Sequence, residues 1–102
     1  MAQFKVSASV TSPPFTVALS VGGNKIKMAR DSSGAWAGSS KNPLNLPDPV
    51  LIQFGATGIS GSPWTLKVDF TPTNGASQKT FTHSDKIGDN GASALSAQEK
   101  LS

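Results

Sequence analysis

The sequence predicts an all-β protein, an antiparallel β-sandwich of about seven strands, and three observations carry that expectation. Apolar residues fall at every second position in three stretches: Phe4, Val6, Ala8, Val10; then Phe15, Val17, Leu19, Val21; then Trp64, Leu66, Val68, Phe70. This is the period of a strand with one face in a core. The chain carries 10 Gly and 7 Pro among 102 residues, with 36% hydrophobic and 15% charged, a balance that suits short strands joined by tight turns. Turn residues also sit where the alternation breaks, so each hairpin is tested by whether its two arms present matching faces.

Strands are expected at 3–10, 15–21, 25–30, 35–39, 50–56, 64–71 and 78–84. Gly22-Gly23 suits a two-residue primed turn, which needs positive φ, and sets Leu19 opposite Ile26 and Val17 opposite Met28. A loop of Gly23-Asn24 preserves the same faces, so the turn defines faces and leaves two registers open. Asp31-Ser32-Ser33-Gly34 has the Asp and Gly of a type I turn closed by a glycine bulge. A three-residue loop there pairs Arg30 with Trp36 and keeps Trp36 on the Ile26 and Met28 face, whereas a two-residue loop turns it outward. Residues 41–49 contain three prolines, which remove backbone donors and hold an extended crossover between sheets.

In the strand at 50–56, Val50, Ile52 and Phe54 share one face while Leu51 takes the other beside Gln53. A strand apolar on both sides calls for cover on both. Residues 57–63 read as a flexible loop before Trp64. Asn74-Gly75 is the strongest hairpin signal, and counting back from it sets Val68 opposite Phe81, Leu66 opposite His83 and Trp64 opposite Asp85. The other face pairs Lys67 with Thr82 and Asp69 with Thr80.

After Asp85 the pattern fades. Residues 1–90 are therefore expected to form a single sandwich domain, and 91–102 a polar C-terminal tail, frayed or a short helix, with Ala94, Leu95 and Leu101 as weak apolar contacts. The sandwich is immunoglobulin-like in the broad architectural sense alone, because the cysteine pair and intervening tryptophan of antibody domains are absent.

With no cysteine, disulfides, thiolate zinc sites and a cysteine nucleophile are excluded together. The segment from Met1 to Lys5 runs straight into the first strand pattern without a signal-peptide arrangement, and no run approaches the ~20 apolar residues of a membrane span. A soluble protein without a membrane partner is expected, cytoplasmic by default with a secreted one left open. The net charge of +3 is spread over nine basic residues, of which Lys25 and Lys27 alone share a strand face at close spacing. It reads as solubilising charge, and no nucleic-acid partner is expected.

His83-Ser84-Asp85 resembles a hydrolytic triad on paper, but successive strand residues point to opposite faces, so Ser84 leaves the face that His83 and Asp85 share. The acids fall in turns and on solvent-facing positions, not as a facing pair. Residues 85–91 offer oxygen ligands on a glycine-rich loop suited to calcium, yet Asp85 and Asp89 are four apart, and an ordinary turn cluster is preferred. Gly58-Ile59-Ser60-Gly61 lacks the lysine and helix of a phosphate loop. No enzyme activity, cofactor or metal site is expected.

One functional signal remains. Trp64 follows a loop, with His83 and Asp85 across from it, and a Trp face offers the CH surface of a sugar a large, weakly hydrated contact. Asn42 and Asn45 on the proline-rich crossover add amide groups. These five residues define the expected ligand-binding site of a noncatalytic binding module, lectin-like, for a carbohydrate or protein ligand. The competing reading makes Trp36 and Trp64 core anchors, in parity with Val and Leu. The alternative function is a self-associating structural or assembly protein, a homo-oligomer whose sheet edges or apolar face, marked by Leu51, join protomers.

Overall fold

A computed structural model describes residues 2–11, 16–32 and 34–101; Phe15, Ser33 and Ser102 lie outside them. Among the described residues ten strands form: β1 Ala2–Thr11, β2 Thr16–Val21, β3 Asn24–Ile26, β4 Met28–Arg30, β5 Trp36–Ser39, β6 Leu44–Leu46, β7 Val50–Thr57, β8 Pro63–Pro72, β9 Lys79–Lys86 and β10 Ala92–Glu99. They build two antiparallel sheets, one of six strands in the order β4-β5-β1-β8-β9 with β6 also beside β1, the other of four in the order β10-β7-β2-β3. The described residues contain no helix long and apolar enough to cross a membrane.

The alternation places the core between the sheets. Val6, Val10, Leu66, Val68 and Phe70 of the larger sheet and Leu19, Val21, Ile52 and Phe54 of the smaller are all buried. The hairpin registers follow the turn chemistry. Val68 pairs with Phe81, Leu66 with His83, Trp64 with Asp85, Lys67 with Thr82 and Asp69 with Thr80. At the first hairpin Leu19 pairs with Ile26 and Val21 with Asn24, so the loop is Gly22-Gly23, with φ of 56° and 83°. Arg30 pairs with Trp36, and Trp36 packs half-buried against the core.

Three expectations are corrected. The strand drawn at 25–30 divides at Lys27: β3 ends in the smaller sheet, and β4 begins in the larger. Met28 therefore pairs with Gly38 and not with Val17. The passage depends on Gly38, where a Cβ would stand 2.2 Å from the Lys27 carbonyl oxygen and 2.8 Å from Met28 Sδ. The 41–49 segment does cross from the larger sheet to the smaller, but it is not extended chain alone: a short strand within it, β6, pairs with Ala2 to Phe4 of β1, on the edge that β5 occupies from Ser7 to Val10. At the joint the Ser40 N–H donates to the Val6 carbonyl at 2.8 Å, and the Val6 N–H donates to Ser40 Oγ at 3.0 Å.

The third correction concerns the expected tail. Ala92–Glu99 is a strand paired along its whole length with β7, and Leu101 beyond it is buried, its N–H donating to Asp48 Oδ1 at 2.9 Å. Small Ala and Ser side chains are poor strand formers, so the ladder with β7 holds a segment whose own pattern is faint. The loops at 57–63 and 85–91 are also laced together: the Gly61 N–H donates to the Ile87 carbonyl at 2.7 Å, and the Ile87 N–H to that of Ser62 at 2.8 Å.

Candidate functional site

The expected platform does not assemble. Trp64 is 1% exposed and packs on Phe54 with ring centroids 4.8 Å apart, so its face is spent on the core and offers nothing to a ligand. The strand parity that put Trp64 beside Leu66 and Val68 is what buries it. His83 lies half-buried, its Nε2 3.5 Å from Glu99 Oε1 and without a directed hydrogen bond among the described residues. Asp85 is exposed, its Oδ1 accepting from the Lys86 N–H at 2.8 Å. Asn45 pairs with Gln3, whereas Thr65, next to Trp64, pairs with Thr11. Eight residues of strand separate those positions, about 26 Å at the usual rise. Asn42, between Ser39 opposite Ser7 and Leu44 opposite Phe4, lies toward the Asn45 end.

In the candidate calcium loop Asp85 and Asn90 each turn a side-chain oxygen to the loop's own backbone, Asn90 Oδ1 accepting from the Ala92 N–H at 3.2 Å. Among the described residues no three His, Cys, Asp or Glu gather where they could hold a metal ion.

A different surface has the form of a binding site. On the outer face of the smaller sheet, the register aligns side chains from separate strands into rows. Ala94 of β10, Gly55 of β7 and Ala18 of β2 form one row. On one side of it run Ser96, Gln53, Ser20 and Lys25, contributed by β10, β7, β2 and β3. On the other stand Thr57 and Thr16, whose hydroxyls share a hydrogen bond of 2.5 Å. Small apolar side chains thus floor a trough with the hydroxyl, amide and ammonium groups of Ser20, Ser96, Gln53 and Lys25 along one rim.

Gly55 makes it a trough. A Cβ built there meets no atom closer than the Ser93 carbonyl oxygen at 4.0 Å, so it would project into open space. The concavity measures about 620 Å³ and spans four strands, a width of about 14 Å at the usual spacing. Ligand sites commonly fall in the range of about 300 to 1,000 Å³. Sequence alone did not reveal these rows, because their members alternate with core residues on strands that only tertiary pairing makes neighbours.

Compared with protein-family models, with curated proteins and with solved structures, the chain matches none.

Proposed function

We propose that the protein is a noncatalytic binding module for carbohydrate, built on an immunoglobulin-like sandwich, and that its ligand lies in the trough on the outer face of the smaller sheet. The observation that carries this reading is the Ala18, Gly55 and Ala94 row set between polar rows. A pyranose ring has the matching amphipathic form, with an apolar CH face and hydroxyls around its edge, and a site with an apolar floor and few fixed polar groups recognises such a ligand.

The test is a glycan array probed with the wild-type protein and with Gly55→Ile. The substitution fills the trough from an open position, and a β-branched residue suits a strand better than glycine. Folding stability is expected to hold or rise while glycan binding is lost. Undiminished binding by Gly55→Ile would remove the trough from the proposal.

A specific observation favours self-association as the second reading. Strand β10 is eight residues long, forms an edge of its sheet, contains neither Pro nor Gly and carries one charge, Glu99. Long edges with so little charge are templates for another strand. Light scattering at high concentration decides it: a dimer dispersed by Ser96→Pro supports edge pairing, and a monomer at every concentration rejects it.

A further inference from the structure

We infer that the carbohydrate ligand is acidic, bearing sulfate or carboxylate groups, and that an anion site formed by Lys25, Lys27 and Lys41 receives them. This deepens the trough reading and rests on it. A second concavity of about 300 Å³ lies at the corner where β3 passes into β4, lined by these lysines together with Ser39, Ser40 and Asn42. Lys25 lines both this corner and the trough, so one bound chain can occupy them together. In the sequence Lys41 stands well apart from Lys25 and Lys27; pairing of β5 with β1 and the crossing at Lys27 bring it alongside.

Charge and hydrogen bonding agree at this corner. No carboxylate lines it, and among the described residues no ion pair neutralises any of the three ammonium groups. Three ammonium groups around one concavity make a local excess of positive charge, which favours an anion there. Ser40 Oγ already accepts the Val6 N–H at 3.0 Å, so its own hydroxyl proton is left to donate. Exposed Ser39 and Asn42 add a hydroxyl and an amide. Together these donors suit the oxygens of a sulfate or carboxylate.

A nucleic acid is the less suitable polyanion. Single strands are held by stacking on aromatic rings beside a basic groove, but Trp64 is buried and the one exposed large hydrophobic among the described residues is Ile59. A saccharide needs no ring to stack on, and the trough that Lys25 adjoins presents hydroxyls and an amide.

The experiment measures binding of dextran sulfate, unmodified dextran and single-stranded oligo(dT) to the wild-type protein, to Lys27→Gln/Lys41→Gln and to Gly55→Ile. Dextran sulfate is expected to bind more tightly than dextran. The lysine double variant should lose that preference, each single substitution accounting for roughly twofold to fivefold, the range of exposed ion pairs. Gly55→Ile should weaken both polysaccharides. If the double variant keeps the preference, or the wild type shows none, the anion site is overturned while the trough stands. If Gly55→Ile binds dextran sulfate normally and the lysine variant does not, the anion site is supported and the trough is overturned. Binding of oligo(dT) as tight as dextran sulfate, with the same lysine dependence, would overturn the acidic-glycan class, and absence of binding to either polysaccharide would overturn the inference whole.

Discussion

The two lateral sides of the sandwich are closed by different means. On one side the backbone does it: β3 of the smaller sheet runs into β4 of the larger through the single residue Lys27, with Gly38 pressed against the crossing. On the other side β9 and β10 are edges of different sheets, and the closure is made by side chains. Trp64 and Phe54 seal the interior there, with Phe81 and Leu95 packed on the core nearby and the His83 and Glu99 contact also joining the two edges. A backbone crossing tolerates no added atom but needs little side-chain area. A side-chain seal tolerates polar change at its rim and depends heavily on its largest ring.

Variants on each side can break that comparison. The largest effect is expected from Trp64→Ala, which should cost about 3 to 5 kcal/mol in urea unfolding, the usual range for a deleted core aromatic. Trp64→Phe should cost far less, because it also removes the buried Nε1–H that has no acceptor among the described residues. A Trp64→Phe loss as large as that of the alanine variant would mean that the indole N–H is satisfied after all. Next comes Gly38→Ala on the backbone-closed side. Its methyl would meet the Lys27 carbonyl at 2.2 Å, and overpacking of this kind costs about 1 to 3 kcal/mol or more. An unchanged midpoint would show that the crossing is slack.

The smallest effect is expected from Glu99→Gln. Both partners of the His83 contact retain about a quarter of their side-chain exposure, and pairs near the surface contribute under about 1 kcal/mol. Hydrogen exchange sharpens this result: amides of β9 and β10 should quicken in Glu99→Gln while those of β1 and β8 do not. Uniform quickening would indicate global destabilisation in place of a loosened edge.

The same contrast explains what could be read in advance. The β8 and β9 hairpin was legible because Asn74-Gly75 defines its centre and the two arms agree in face, so every pair from Trp64 to Asp69 follows by counting. Its faces also carried the correct fate of Trp64, in parity with Leu66 and Val68, although the loop before it suggested a platform. Strand β10 was not legible. Three of its four outward residues, Ala92, Ala94 and Ser96, are small and its inward ones are half-buried, so neither alternation nor propensity marks it.

By itself the sequence determined the all-β class, the inward faces of the strongly alternating strands and the register of the Asn74-Gly75 hairpin, because alternation and turn conformation are properties of neighbouring residues. Tertiary structure decided the switch of sheets at Lys27, the recruitment of β10 and the two concavities. The trough unites Ala18, Gly55 and Ala94 from strands far apart in the chain, and the basic corner unites Lys25 and Lys27 with Lys41. Such groupings arise from which strands pair and how two sheets stack, and no local pattern couples residues separated by whole strands.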